Sequence, residues 1–209
     1  MVRSKSSARW LRRHARDPYV KRARAQGYRS RAAYKLLEID ARDRLLWRGA
    51  TVVDLGAAPG GWSQVACEKV GPGGRVVAVD VLPIAPIGGA TLLRGDFREA
   101  QVRAQLGAAL GGAKADVVLS DLSPNVSGIA ATDQARMAEL VQLALGFARE
   151  HLKQGGVLLA KAFQGADFDR VLEDARAVFA SVRIRKPAAS RGESPETYLL
   201  GRGLKPSGS

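Results

Sequence analysis

One cysteine, Cys67, and two distant histidines, His14 and His151, are all that this chain offers to a disulfide or a structural zinc. A lone thiol closes no internal bridge and fits a reducing compartment, where Cys67 reads as core packing. So few ligands so far apart argue against a structural zinc site. No apolar run approaches the ~20 residues that cross a bilayer. The basic N-terminus is not followed by an apolar signal core, which argues against export. The G-x-G-x-x-G turn of a dinucleotide site is missing too.

What is present is an apolar content of 46% in 209 residues, enough for one well-cored domain with a small extension. The net charge of +13 is unevenly spread. Residues 1–35 hold twelve Lys/Arg against one Asp, and residues 183–209 hold six against two Glu. The span 36–182 is slightly acidic, with fifteen against seventeen. Two basic ends on a near-neutral body attract polyanions, of which nucleic acid is the usual one. Phosphate contacts are expected from Arg12, Arg13, Lys21, Arg24, Arg29 and Arg31, and from Arg185 and Arg191. A solubilising tail is the bland alternative. A membrane surface fits less well, because apolar residues are scattered through the basic arm. Trp10, Tyr19 and Tyr28 of this arm either pack on the body or stack on bases, and the sequence leaves both open.

After the arm, Ser30 is placed to cap a helix running to about Arg44. Strands are then predicted at 51–55, 75–80, 91–96, 116–121 and 156–161, followed by SVRIRKP and TYLLGRG. Helices are predicted at 61–70, near 98–110, at 132–153 (ended by Gly155–Gly156) and at 167–180. This alternation implies an α/β fold, a parallel sheet with helices on both faces. The organisation reads as a basic RNA-binding arm over 1–29, a single domain over 30–203 and a disordered tail over 204–209.

Ligands of such sheets bind beyond the carboxyl ends of the strands. Asp54, Asp80, Asp96, Asp121 and Lys161 all lie at or near those ends. Each alone has a dull explanation as a cap or a solvated charge; five in one crevice are harder to dismiss. Asp80 follows Gly56 by 24 residues, close to the ~20-residue spacing of an acid that holds a nucleoside ribose. The turn between them, DLGAAPGGW (54–62), has glycines for close backbone approach, but Pro59 contributes no N–H to a pyrophosphate. It therefore suits a nucleoside ligand without a diphosphate, and S-adenosylmethionine is the common one.

Six segments occur in order: RSRAAYKLLEI (29–39), DLGAAPGGWSQ, GDF (95–97), SDLSPNVSG (120–128), KAFQG (161–165) and SRGESPETYLL (190–200). Together they resemble the FtsJ/RrmJ (RlmE) family of bacterial ribosomal RNA 2'-O-ribose methyltransferases, from about Ser7 to Arg202. The resemblance implies a Rossmann-like class I methyltransferase fold, with a seven-stranded, mostly parallel sheet whose last strand is antiparallel. It implies S-adenosyl-L-methionine bound by Gly56, Pro59, Gly60, Trp62, Asp80, Asp96 and Asp121, with Asp80 on the ribose and Asp96 at the adenine end. It implies a catalytic set of Lys35, Asp121, Lys161 and Glu196. The implied substrate is a uridine in the A-loop of 23S rRNA, within the large ribosomal subunit. The family's proteins are cytoplasmic and work without a metal, and nothing in the sequence suggests more than a monomer. Ser123 and Ala162, where Ala and Val are expected, are conservative departures.

A 2'-hydroxyl is a weak nucleophile, so the reaction needs in-line positioning and a place for one proton. Lys161 is assigned as proton acceptor. A lysine does this only when deprotonated, a state that burial and a neighbouring cation, Lys35, would favour. The rival assignment keeps Lys161 charged and gives the proton to Asp121. Three other functions stay open at this stage: an NAD-type oxidoreductase, a non-catalytic ribosome-assembly factor, and a 2'-O-methyltransferase acting on tRNA or an mRNA cap.

Overall fold

The short apolar run Thr51–Leu55 forms β1, with its last four residues buried. A computed structural model describes residues 17–206. The expectations placed on Trp10, Arg12 and Arg13 lie outside the described residues. β1 is flanked by β2 (Arg75–Asp80) and β4 (Ala115–Ser120), both parallel to it. Seven strands follow the order β3-β2-β1-β4-β5-β7-β6, where β3 is Ala90–Arg94, β5 Leu152–Phe163, β6 Phe179–Arg185 and β7 Glu196–Leu204. Only β7 runs against its neighbours, pairing antiparallel with both β5 and β6. The expected sheet, with its last strand reversed, is the one found.

Period-two alternation divides the strands between two cores. Val53, Leu55, Val77 and Val79 face one side, against α4 (Ala100–Ala109), α5 (Ala130–His151) and α6 (Phe168–Val178). Val52, Val76, Leu159 and Tyr198 face the other, against α2 (Ala32–Asp43) and α3 (Gly61–Val70). Strands covered on both faces are apolar throughout, which is why they read as short continuous runs.

Four local features add to or differ from the expectations. The basic arm contains a helix, α1 (Pro18–Ala25), started by Asp17, whose carboxylate accepts from the Tyr19 N–H at 3.0 Å. The signal was in the sequence: an N-cap Asp followed by Pro at the first helical position. Ser30 does not cap α2. Arg31 is its N-cap, and the Ser30 hydroxyl is buried without a partner. The long helix stops at His151 rather than at the glycines, because Leu152 already pairs with Ala115 in the sheet. Gly155 and Gly156 lie inside the irregular start of β5 instead. At the other end, β7 runs through the buried Leu204, one residue past the expected domain boundary.

Candidate active site

The reversal of β7 brings its first residues to the same sheet edge as the carboxyl ends of β1, β2, β4 and β5. Lys161 of β5 lies directly opposite Tyr198 of β7, and Glu196 precedes Tyr198 by two, on the same strand face. Asp121 follows the last residue of β4, and Lys35 comes from the second turn of α2.

These side chains form one connected chain of contacts. Lys161 Nζ is 2.9 Å from Asp121 Oδ1 and donates to the Asp121 carbonyl at 3.0 Å. The Tyr198 hydroxyl reaches Asp121 Oδ1 at 2.9 Å and Glu196 Oε1 at 3.3 Å. Glu196 Oε1 pairs with Lys35 Nζ at 2.6 Å and accepts from the Ser190 hydroxyl at 2.8 Å. Lys35 and Lys161 are buried among protein groups, so the two lysines face the two carboxylates where water screens them little. Burial opposes ionisation of Glu196, yet Lys35, Lys161 and the hydrogen bonds from Lys35 and Ser190 outweigh it and hold its pKa below the ordinary value. Burial, with Asp121 and Glu196 beside it, pushes the Tyr198 phenol well above its usual range, so it stays a donor.

The four residues expected to act together are therefore brought together, and two more join them. Tyr198 and Ser190 were not foreseen. The spacing of Tyr198 from Glu196 on an alternating strand was the available signal.

Beside this cluster lies the turn after β1. A Cβ at Gly56 would stand 2.6 Å from Leu122 Cδ2, and one at Gly60 would stand 2.6 Å from Ile87 Cδ1. Both glycines have positive φ, 71° and 109°, so the turn requires glycine on two counts. Asp80 closes β2 and accepts from the Ala58 and Leu82 N–H groups at 2.8 Å each, leaving carboxylate lone pairs to spare. Asp96 follows β3, and Arg98 forks onto it through Nε and a terminal nitrogen. That pair, through the Arg98 hydrogen bonds, outweighs burial and holds Asp96 below the usual carboxylate range. Val81 and Leu82, just beyond Asp80, are exposed. Trp62 differs from its expectation. Its side chain is 2% exposed, its indole N–H donates to the Ala32 carbonyl, and its ring packs on Tyr198.

Beneath the turn, Asp54 is completely buried. It accepts from the Ser63 hydroxyl at 2.6 Å, and its other oxygen has no partner. Burial pushes its pKa up to about 7, opposed by the Ser63 bond and aided by Asp121 and Asp80. Cys67, half-buried, has its thiol raised to about 11 by burial and by the negative charges of Asp54 and Glu68.

Of the expected phosphate contacts, Lys21 and Arg24 are exposed on α1. Arg29, Arg31 and Arg185 are not free. Arg29 donates to the carbonyls of Pro59, Ala85 and Pro86, tying the turn to the segment after β2. Arg31 pairs with Asp17 at 2.9 Å and donates to the Ala189 carbonyl. Arg185 forks onto Asp43 with two bonds of 2.6 Å. Arg191 lies 3.8 Å from Asp17 and is partly exposed. An isolated guanidinium near a carboxylate or a row of carbonyls is drawn inward, and composition cannot reveal this. Tyr19 and Tyr28 pack rather than stand free: both rings contact Tyr34, and their hydroxyls donate to Glu38 and Glu68. Among the described residues, no group of three or more His, Cys, Asp or Glu side chains is arranged to hold a metal. No described helix is long and apolar enough to cross a membrane.

The sequence pattern of the FtsJ-like methyltransferases matches residues 28–204. The chain belongs to that family. It is 56% identical over 205 residues to a protein from Azoarcus sp. named Ribosomal RNA large subunit methyltransferase E, covering 98% of this chain and all of that one. A Stenotrophomonas maltophilia protein of the same name is 56% identical over 204 residues, covering 98% and 97% of the two chains. Among solved structures, a ribosomal RNA methyltransferase from Plasmodium falciparum superposes with a TM-score of 0.76 at 26% identity, covering 85% of this chain and 98% of that one. Fibrillarin from Aeropyrum pernix, solved with bound S-adenosyl-L-methionine, shares the fold alone, with a TM-score of 0.55 at 16% identity over 83% and 75% of the two chains.

Proposed function

We propose that the protein transfers a methyl group from S-adenosyl-L-methionine to the 2'-hydroxyl of a uridine in the A-loop of 23S rRNA of the large ribosomal subunit. The observation that carries this is the junction of Lys35, Asp121, Lys161 and Glu196 through the Tyr198 hydroxyl, beside a glycine turn. Binding alone does not call for two buried lysines. The names of the 56%-identical relatives support the RNA class.

The residues present fit the donor. The carboxylates of Asp80 and Asp96 suit ribose hydroxyls and an adenine amino group, Val81 and Leu82 offer apolar surface, and a Cβ at Gly56 or Gly60 would collide with its neighbours. Gly56, Pro59, Gly60, the Trp62 backbone, Asp80, Asp96 and Asp121 would hold it. When bound, it supplies an electrophilic methyl with a neutral leaving group. In its neutral amine form, Lys161 Nζ takes the proton released from the ribose oxygen and becomes an ammonium facing Asp121. Asp121 and Glu196 orient the two lysines, and Lys35 places a second cation near the acceptor. The 2.9 Å Lys161–Asp121 pair favours a second route, in which Lys161 stays charged and Asp121 takes the proton. Positioning of this kind is worth up to ~7–11 kcal/mol in well-oriented systems. An oxidoreductase reading has no support from a turn that lacks the dinucleotide pattern.

The test is to incubate large subunits lacking ribose methylation with labelled donor and map the product. Label at a 2'-oxygen of an A-loop uridine is expected. Label confined to tRNA or to capped RNA, or no label in any RNA, would overturn the reading.

A further inference from the structure

The segment RDRLLWR (42–48), which joins α2 to β1, takes no part in the site. It lies at the amino ends of the parallel strands, a β1 length of about 17 Å from the reacting edge. Its apolar residues are divided. Leu45 and Leu46 are buried, and their N–H groups donate to Asp40 Oδ1 at 2.9 Å each. Trp47 is turned outward and is 46% exposed. The loop is thus pinned with an indole on its outside, although burying that ring would have been favourable.

Three arginines surround it in sequence. Arg42, Arg44 and Arg48 are exposed, and none has an ion pair among the described residues. The one acid between them, Asp43, is consumed by the Arg185 fork, and Arg202 donates to its carbonyl. The segment therefore presents a net positive charge around an aromatic face, its one acid being shared between Arg185, Arg202 and Arg42.

Arg44 adds an independent observation. It caps the carboxyl end of α2 with φ 49° and ψ 63°, the only positive-φ residue other than glycine in the described structure. Glycine is the ordinary occupant of such a position, and any other side chain there is strained. A strained position that holds an exposed, unpaired guanidinium points to a use for that side chain.

We propose that Arg42, Arg44, Trp47 and Arg48 form a second RNA-docking surface, remote from the reacting edge, that grips a strand of ribosomal RNA other than the one presenting the acceptor. The arginines neutralise phosphates and the indole stacks on a base. Three exposed guanidinium groups against one acid, itself forked by Arg185, favour a polyanion over an apolar protein partner. The surface rests on the reading of ribosomal RNA as substrate.

The test compares wild type with Arg44→Gly, with Arg42→Ser/Arg44→Gly/Arg48→Ser and with Trp47→Ala. Binding is measured without donor across a salt series, on unmethylated 23S rRNA and on a short stem-loop that carries only the acceptor. Arg44→Gly should hold or raise the melting temperature while weakening binding to the long RNA, a pairing that a structural role would not produce. The triple variant should flatten the salt slope by about three, one for each arginine removed. Trp47→Ala should weaken binding to the long RNA about tenfold. Binding to the stem-loop, and the single-turnover rate on it, should not change. An unchanged slope on the long RNA, or equal losses on both RNAs, would overturn the proposal. A wild type that binds 23S rRNA but methylates nothing would count against the proposed activity and leave the binding comparison valid.

Discussion

The Tyr198 hydroxyl stands between two carboxylates, 2.9 Å from Asp121 Oδ1 and 3.3 Å from Glu196 Oε1. It has one proton to donate, and that proton is held firmly, since burial and both carboxylates raise the phenol well above its usual range. Each carboxylate also faces a lysine, so the tyrosine links two ion pairs into one array. Tyr198→Phe should fold, keep the ring against Trp62, and lower the single-turnover rate about 10- to 100-fold, the worth of a hydrogen bond to a charged group. An unchanged rate would show that the two pairs act independently.

Lys161→Ala should lower the single-turnover rate by about 10²–10⁴, the usual contribution of a proton-transferring group. If Lys161 is the acceptor, the variant should also lose the acidic limb of the wild-type pH profile, where protonation of the base slows the reaction. A slow variant with an unaltered profile would move the proton to Asp121. A near-normal rate and profile would remove Lys161 from the chemistry.

Asp54 gives the fold a pH dependence of its own. Its pKa in the fold is about 7, against an ordinary 3.8. Between those values the folded chain binds more protons than the unfolded chain, so stability from this group falls as pH rises. Paired carboxylates such as Glu196, held low, act in the opposite direction and lose their contribution as pH falls. Comparing Asp54→Asn with wild type isolates the first effect. The variant should gain melting temperature relative to wild type as pH goes from 5 to 8. A constant difference would show that Asp54 is ionised in the fold throughout.

Arg185 separates stability from RNA affinity. Its fork holds Asp43, whose side chain is 4% exposed. Arg185→Ala strands that carboxylate and should cost about 3 kcal/mol, read by denaturant unfolding. Affinity for 23S rRNA should hardly change, because the guanidinium is already engaged. A large loss of affinity with intact stability would restore Arg185 to the phosphate contacts.

Saturation with S-adenosyl-L-methionine should raise the melting temperature, since donor at 100 times its Kd stabilises by about 2.7 kcal/mol. NAD should not. Asp80→Ala should abolish the shift. A shift with NAD and none with the methyl donor would revive the oxidoreductase reading.

The sheet and the glycine turn after β1 are legible in the sequence. Strands buried on both faces read as apolar runs whatever packs on them, and DLGAAPGGW carries its geometry locally in Gly56 and Gly60. The sequence also placed Asp80, Asp121 and Lys161 at one edge, because strand ends follow from strand spans. Tertiary structure alone decided which charges are free. Arg29, Arg31 and Arg185 look in sequence like Lys21 and Arg24, yet they turn to partners as remote as Ala189, 158 positions from Arg31. It also decided that Ser30 is no cap, and that Tyr198 joins Asp121 to Glu196. Those outcomes depend on long-range approach, when β7 reverses beside β5 and α2 lies over both, and no local pattern of residues encodes that approach.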